Sequence, residues 1–444
     1  MIDVLKNSSF RNLFAAQVFA LVGTGLATVA LALLAYDLAG AEAGAVLGTA
    51  LAIKMIVYVT LAPVSAAVVP PVLRKRVLIA LDLVRAAAAL FLPFVTEIWQ
   101  VYILIALLQS ASACFTPLFQ SLIPEILKDE KDYTKALSLS RLAYDLESLL
   151  SPALAAALLT LISFHGLFAG TSVGFVLSAM LVLSTAFPLI VDRRGDEGPY
   201  ARAIRGMRIY LRTPRLRGLL ALNLVAAAGG SLVFVNTVVV VRGVLHGGER
   251  EVAWALAAFG IGSMAVAMLL PKVLDKVSDR RVMLAAASLM CAVLMGLQGA
   301  WIGLDGAINW FVIIPAWVLL GMAYAGLVTP GGRLLRRSAD SADLPFLFAA
   351  QFSLSHVCWL IAYPLAGVVG AKWGLPVAIG ALVGVAGVGL LLAWRSWPRA
   401  DPEEIEHSHD DLPDDHPHWI EHARKHGKHS HRFVIDALHR RWPG

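Results

Sequence analysis

Apolar runs of about 20 residues or more recur along this chain, and short polar stretches separate them. A helix rises ~1.5 Å per residue, so a run of this length crosses the ~30 Å hydrocarbon core of a bilayer. The runs are continuous rather than alternating, which favours helices over the strands of a membrane barrel. The pattern predicts an all-α polytopic membrane protein with twelve transmembrane helices, at residues 12–37, 43–69, 77–96, 99–122, 136–162, 167–190, 215–241, 252–274, 281–303, 308–330, 344–370 and 373–396.

A polar stretch in the middle of the chain divides these helices into two groups of six. Two short motifs recur in the second group. The fourth predicted helix ends with CFTPLFQ and the tenth with the similar LVTPGGR, while the third begins with LRKRVLIA and the ninth with SDRRVMLA. Two six-helix pseudo-repeats with a binding site between them are typical of secondary transporters. The predicted units are a six-helix bundle at 1–191, a linker at 192–214, a second bundle at 215–397 and a polar tail at 398–444.

Composition agrees with a membrane location, because 58% of the residues are hydrophobic and only 15% are charged. The formal charge of +6 is carried by bases at helix ends, so it indicates membrane orientation rather than a nucleic-acid partner. Lysine and arginine concentrate in alternate loops and in the linker, while the opposite loops, such as AGAEA and FHG, are almost free of them. The bias predicts that both termini lie in the cytoplasm.

The fifth predicted helix carries Arg141, Asp145 and Glu147 inside an otherwise apolar run. A charge at this depth costs at least ~2.5–3.5 kcal/mol, so these side chains should face protein or water rather than lipid. Arg141 and Asp145 are four residues apart and can pair within the helix, whereas Glu147 points in a different direction. The group is either part of a transport path or a fixed structural ion pair.

Lys54 lies about twelve residues into the second predicted helix, too deep to reach the interface easily. We expect a carboxylate partner, and Asp145 and Glu147 lie at a similar depth. A buried lysine with such a partner either couples proton movement to transport or locks two helices together.

Other polar residues within the predicted helices could line a central path. Gln17 and Asn223 offer neutral oxygens to a hydrated cation, although satisfied hydrogen bonding between helices is the simpler explanation for any one such residue. Asp37 is either a carboxylate on the release side or an interfacial anchor. His356 is a candidate metal or proton site, and residues two apart on a helix diverge, so Cys358 should not join it.

After Trp397 the composition changes abruptly to a polar, histidine-rich tail. Imidazole suits Ni²⁺, Co²⁺, Cu²⁺ and Zn²⁺, and the spacing does not select one of these ions. The predicted metal ligands are His407, His409, His416, His418, His422, His426, His429 and His431.

The paired halves and loop motifs resemble the major facilitator superfamily, which carries a glycine–Asp–Arg motif between helices two and three of each half. In PKVLDKVSDRR, Asp275 and Lys276 hold the Asp–Arg positions, and with Arg280 and Arg281 they are the expected gating loop. The first copy, PPVLRKRV, departs from the motif. CFTPLFQSLIPEIL resembles the drug-efflux branch, which also includes siderophore exporters.

The tail, with its ending FVIDALHRRWPG, is similar to that of bacterial nickel-resistance exporters within this superfamily. That resemblance implies a protein of the bacterial cytoplasmic (inner) membrane that exports Ni²⁺, and possibly Co²⁺, driven by inward proton flow, with the same ions bound by the tail. The alternative is a proton-coupled exporter of a drug or siderophore with a regulatory metal-binding tail. No enzymatic activity, required cofactor or nucleic-acid partner is expected, and we expect a monomer.

Overall fold

The computed structural model describes residues 2–69, 71–127, 129, 132, 136, 139–140, 143, 147, 151, 153–186, 199–340, 343–402, 404–408, 429–435, 438–439 and 442. Among these residues, the first half contains five long helices: α1 (Ser8–Ala39), α2 (Ala43–Val68), α3 (Arg74–Phe91), α4 (Ile98–Ile126) and α5 (Phe164–Ser184). The chain folds back between α1 and α2 in a tight turn at Gly40–Glu42, where Gly40 adopts a φ of 53°. Glycine suits this left-handed conformation because it has no Cβ to clash with the backbone.

An amphipathic helix, α6 (Pro199–Arg212), precedes the second half. The helices that follow are α7 (Pro214–Val238), α8 (Glu249–Leu274), α9 (Asp279–Gly303), α10 (Trp310–Val328), the short α11 (Gly331–Arg336), α12 (Leu344–Pro364) and α13 (Leu375–Ser396). A π-helical turn at Val239–Val244 extends α7, and another at Leu365–Val369 carries α12 on to a last turn at Gly370–Trp373. The tail forms two antiparallel strands, β1 (Glu404–His407) and β2 (His429–Arg432).

Ten helical stretches among the described residues are long and apolar enough to cross a bilayer, and the first, Ser8–Leu61, includes α1, the turn at Gly40–Glu42 and most of α2. Each predicted transmembrane segment except 136–162, which is only partly described, coincides with one of the long helices. The all-α polytopic fold is therefore confirmed. The tail strands and α6 are additions that the hydrophobic pattern did not predict.

The two halves repeat one pattern of neighbours. In the first half, α1 packs on α5, α2 packs on α4, and α3 packs on both α4 and α5. In the second half, α7 packs on α13, α8 packs on α10, and α9 packs on both α10 and α13. The halves meet where α2 crosses α12 and where α1 approaches α7. Any path between the halves is therefore bordered by α1, α2, α7 and α12.

One end of the bundle carries the basic loops, and we refer to it as the basic end. There the Lys75 ammonium donates to the carbonyl of Thr185 at 2.8 Å, and the Arg280 guanidinium donates to that of Trp397 at 2.9 Å. These contacts join the starts of α3 and α9 to the ends of α5 and α13. The turn at Gly40–Glu42 lies at the opposite end.

Close packing of α8 on α10 depends on two glycines. A Cβ at Gly262 would overlap the carbonyl oxygen of Val318, and a Cβ at Gly321 would overlap that of Phe259. Between membrane helices, small residues allow backbones to approach and gain van der Waals contact. By contrast, a Cβ at Gly296 in α9 would meet nothing within 4 Å.

We expect Gly321→Ala to destabilise the protein by about 1–3 kcal/mol, since α8 and α10 would have to separate. Gly296→Ala is the matched control and should be neutral or slightly stabilising, because alanine favours the helix where space is free. Thermal unfolding of the purified protein in one detergent would compare the two. Equal unfolding temperatures would show that the glycine contact does not hold these helices together.

Candidate transport path and histidine cluster

Lys54 and Glu147 lie together in the interior of the first half. Lys54 is half-buried on α2, and its charge interacts with the carboxylate of Glu147. Glu147 also shares a hydrogen bond with the side chain of Ser151, and both pack against Gly25, where a Cβ would lie 3.0 Å from Glu147 Oε1. Gly25 thus leaves room on α1 for the carboxylate. Of the two acids considered for Lys54, Asp145 lies outside the described residues, as does Arg141.

His356 of α12, in the second half, contacts the part of α2 that carries Lys54. Its ring stacks on Tyr58 of α2, with 5.3 Å between ring centroids, and Lys54 Nζ lies 5.7 Å from the centroid of the same tyrosine. The Nδ1–H of His356 donates to the carbonyl of Phe352 at 2.6 Å, which leaves Nε2 as the nitrogen that can take a proton or a metal ion. Cys358 faces α7 instead, with its thiol 3.8 Å from the carbonyl of Leu220.

Lys54 therefore interacts electrostatically with a carboxylate of one half and with an imidazole of the other. A relative movement of α2 and α12 would change the distance from Lys54 to His356. Lys54 and Glu147 would stay together during this movement only if α2 and the segment that carries Glu147 move as one body. We refer to Glu147, Lys54 and His356 as the interior charge group.

Gln17 and Asn223 occupy equivalent positions in the two halves, since each is the tenth residue of its helix, α1 or α7. Both are more than nine-tenths buried, with exposures of 5% and 8%. Within the described part of the chain, Gln17 Oε1 and Asn223 Nδ2 have no hydrogen-bond partner. Because an unpaired buried polar group costs about 1–3 kcal/mol, such a pair is explained well by a polar ligand that reaches it.

Side chains hold the halves together at the end opposite the basic loops. Asp37 on α1 is 3.9 Å from the Arg242 guanidinium, which also lies over the ring of Tyr36. The Arg250 guanidinium donates to the carbonyl of Leu159 at 3.2 Å. Asp37 is 42% exposed, so its ion pair is an interfacial contact of small energy.

A backbone contact closes the same end more tightly. A Cβ at Gly48 of α2 would lie 2.8 Å from the carbonyl oxygen of Tyr363 and 3.0 Å from Gly367 Cα. Gly44, one turn earlier, lies against Asn236 of α7, whose amide donates to the carbonyl of Ala366 at 3.0 Å. The first and second halves are thus in direct helix contact at this end.

At the basic end, an acid that the motif did not single out forms the ion pairs. Asp279 is buried and accepts from Arg337 at 2.9 Å, and its other oxygen lies 3.7 Å from Arg333. The expected gating residues Asp275, Lys276 and Arg281 are exposed, while Arg280 is half-buried. Asp279 could have been found from its place in the first turn of α9, where a carboxylate is favoured by the helix dipole.

Asp82 and Arg85 form a second buried ion pair, inside the first half. Ser178 donates to Asp82 at 2.8 Å, and the guanidinium of Arg85 lies 4.1 Å and 4.5 Å from the ring centroids of Phe115 and Phe175. All of these contacts are within one half. The pair therefore joins α3, α4 and α5, and its surroundings do not change when the halves move.

Four histidines of the tail come together on one side of the two strands: His407, His429, His431 and His439. One ligand nitrogen from each can be chosen so that all four lie within 4.8 Å of one another. We refer to them as the four-histidine cluster. His407 and His439 approach to 3.0 Å between their Nε2 atoms.

Of the eight predicted tail ligands, the structure brings His407, His429 and His431 together. His409, His416, His418, His422 and His426 lie outside the described residues. His439 lies in the ending FVIDALH and was not among the predicted ligands. The hydrophobic run before it was the available signal, since an apolar segment in a polar tail is expected to dock and bring its neighbours with it.

The family model of the Major Facilitator Superfamily matches residues 13–244 and again 219–435 of this chain. Macrolide efflux protein A of Streptococcus pyogenes is 24% identical over 335 residues, which cover 72% of this chain and 80% of that protein. The uncharacterized MFS-type transporter YfiS of Bacillus subtilis is 23% identical over 218 residues, and the match spans only 51% of its length. A D-xylose–proton symporter of known structure superposes with a TM-score of 0.64 at 14% identity, over 88% of this chain and 98% of the symporter.

Asn223 and Asn236 both lie on α7, and a comparison of the two tests whether the buried Asn223 amide contributes to stability. We expect Asn223→Leu to leave the stability unchanged or to raise it by about 1 kcal/mol, because an unpaired buried polar group is removed. Asn236→Leu removes a formed hydrogen bond and should cost about 1–3 kcal/mol. Thermal unfolding of both variants measures the difference. If Asn223→Leu is as damaging as Asn236→Leu, the Asn223 amide has a structural role.

Proposed function

Since the chain belongs to the Major Facilitator Superfamily, we propose that this membrane transporter is a secondary active exporter of a divalent transition-metal ion, Ni²⁺ and possibly Co²⁺, driven by proton antiport. The observation that carries the choice of cargo is the four-histidine cluster, because four imidazoles are a ligand set for ions of this class. We infer that the basic end faces the cytoplasm, since lysine and arginine concentrate on that side of bacterial inner-membrane proteins. The tail would then meet metal before export.

The interior charge group supplies a physical basis for coupling. When Lys54 is charged it neutralises Glu147, and a divalent cation that approaches the carboxylate must compete with the ammonium. Loss of one proton from Lys54 as the ion binds would raise the local charge by one unit instead of two. Exchange of a proton for the cargo is therefore favoured over simple addition, because an uncompensated buried charge is costly.

Alternating access then follows from where the two halves touch. In this conformation the halves are in contact at the end opposite the basic loops, through Gly48 with Gly367 and through Asp37 with Arg242. Release on the far side would require these contacts to open, and Gln17 and Asn223 on α1 and α7 would contact the cargo or its water shell in between. Transporters with two parallel repeats commonly work by such rocking about a central site.

An organic cargo is the second candidate, and a specific feature supports it. Five aromatic residues of the second half form a continuous group with centroid separations of 5.0–6.3 Å: Phe234, Phe259, Tyr324, Trp359 and Tyr363. Such surfaces suit large apolar ligands. The relatives named as macrolide efflux proteins agree with this alternative.

We expect Glu147→Gln to reduce Ni²⁺ transport at least tenfold, because the neutral amide cannot exchange Lys54 for the metal ion. Glu42→Gln is the matched control, since Glu42 is exposed in the turn after α1 and should leave transport unchanged. The measurement is Ni²⁺ uptake into everted membrane vesicles under an imposed proton gradient. Normal Ni²⁺ transport by Glu147→Gln would contradict the proposed coupling.

The same vesicles discriminate between the two cargoes. Metal export predicts proton-driven uptake of Ni²⁺, and of Co²⁺, with no uptake of a labelled macrolide. Trp359→Ala should then leave Ni²⁺ transport within a fewfold of the parent protein. If the vesicles take up the macrolide in a manner that depends on Trp359, and take up no Ni²⁺, then the cargo is organic and not a metal ion.

A further inference from the structure

We propose that the four-histidine cluster is a single resident site for one divalent ion of the Co²⁺–Zn²⁺ series, and that its occupancy docks the tail onto the start of α7. The metal-binding part of this proposal stands apart from the transported cargo, whereas its regulatory consequence rests on the proposed function.

Strand register gathers three of the ligands on one face. His407 pairs with His429 across the two strands, and Ile405 pairs with His431. Side chains two residues apart in a strand, and those directly opposite each other, share a face. Ser430, between the two histidines of β2, is exposed, whereas His429 and His431 are buried. His439 closes the group from the segment after β2.

The ligand nitrogens are already close to the spacing that a metal ion needs. With metal–nitrogen bonds of about 2.0–2.1 Å, ligand atoms around a tetrahedral ion are about 3.3 Å apart. His407 Nε2 and His439 Nε2 are 3.0 Å apart, and the whole set spans 4.8 Å. His407 Nδ1 lies 2.9 Å from the carbonyl of Ile405, so an Nδ1–H that donates to this oxygen places the ring's lone pair on Nε2, the atom that approaches His439. Histidines that ligate a metal usually donate their other ring N–H to a carbonyl or carboxylate in this way.

Burial distinguishes this group from histidines scattered on a surface. His429 and His439 are 3% and 4% exposed, and His431 is 9% exposed. Phe433 packs against the rings of His407, His431 and His439, with centroid separations of 4.8–6.5 Å. An apolar wall around the ligands excludes competing water, which strengthens metal binding. His407 is only half-buried and gives the ion a route in.

The same segment is attached to the transmembrane body. Asp401, just before β1, lies 3.2 Å from the guanidinium of Arg215, which is 1% exposed at the second position of α7. Trp442 lies under the same guanidinium at 5.1 Å, and Phe433 contacts Trp442 at 5.1 Å. Phe433 and Ile435 are buried in the same apolar core as α7. A metal ion that fixes the strands therefore also fixes the Asp401–Arg215 contact.

Helix α7 links this contact to the far end of the bundle. It begins beside Asp401, and its π-helical extension carries Arg242, which contacts Asp37 and Tyr36 of α1. A helix that is held at its first turn moves less freely when the halves separate at its other end. Metal in the tail is thus expected to favour the conformation in which the end opposite the basic loops is closed.

The test uses the full-length protein in lipid nanodiscs, with Ni²⁺, Co²⁺ or Zn²⁺ alone as the probe. One variant replaces the cluster (His407→Gln, His429→Gln, His431→Gln, His439→Gln). The matched control replaces four other tail histidines (His409→Gln, His416→Gln, His418→Gln, His422→Gln). Competition with a chromophoric chelator measures the affinity for the first equivalent of metal. The cluster variant should bind it at least tenfold more weakly than the parent protein, and the control should match the parent.

Hydrogen exchange in the same samples reports docking. One equivalent of metal should slow exchange at 404–407 and 429–432, and also at 36–44 near the far end of α1, in the parent and control but not in the cluster variant. Asp401→Asn should weaken metal binding by about fivefold or more, because docking and binding reinforce each other reciprocally.

If the control variant lost the tight binding of the first equivalent of metal and the cluster variant kept it, the proposed site would be wrong. Tight binding without slower exchange at 36–44, or unchanged affinity in Asp401→Asn, would overturn the docking. If the vesicles do not transport Ni²⁺ but the protein still binds the first equivalent of metal tightly, the proposed cargo is wrong and the metal site stands.

Discussion

The high cost of an unpaired charge in a low-dielectric interior constrains the whole molecule. The buried charged side chains discussed above lie beside an opposite charge: Arg85 beside Asp82, Arg215 beside Asp401, and Asp279 beside Arg337. These three pairs differ in what they connect. The first lies within one half, the second ties the tail to α7, and the third ties α9 to the loop after α10. Lys54 differs from all of them, because it faces a carboxylate in its own half and an imidazole in the other.

This difference separates structural charges from those that can take part in transport. A pair inside one half keeps its surroundings when the halves rock, so its energy does not depend on the conformation. The environment of Lys54 includes Tyr58 and His356, and it therefore changes when α2 moves against α12. A charge whose energy depends on conformation can transfer the free energy of a proton gradient to a conformational change. The interior charge group has this property, and the Asp82–Arg85 pair does not.

Most of the fold could be predicted from the sequence because bilayer thickness sets the length of each helix. The predicted segment 43–69 and the observed Ala43–Val68 differ by a single residue, and 252–274 begins only three residues after the start of Glu249–Leu274. Lys54 could be singled out for the same reason, since any lysine at that depth stands out against an apolar run. Hydropathy did not identify α6 or the tail strands, because both lie in polar sequence where burial is partial and depends on tertiary contacts.

Contacts between residues that are distant in the chain were harder to predict than the depth of a residue in the membrane. The motif indicated Asp275, which is exposed in the turn after α8, whereas the ion pairs are formed by Asp279, the first residue of α9. His439 and His407 are 32 positions apart, and only the return of the chain past Phe433 brings their rings together. Periodicity reports which face a residue occupies, but not which distant segment packs on that face.

The tail is better understood as part of the transmembrane body than as an appended metal-binding segment. The segment after β2 buries Phe433 and Ile435 in the core that contains α7, and Asp401 accepts from Trp397 at 3.2 Å as well as pairing with Arg215. A flexible tail would bind metal without any effect on the helices. A docked one shares its free energy with them, because any state of the bundle that moves the first turn of α7 must also break contacts of the tail. The histidines would then do more than concentrate metal near the transporter, since the occupancy of four side chains would influence which end of the bundle is closed.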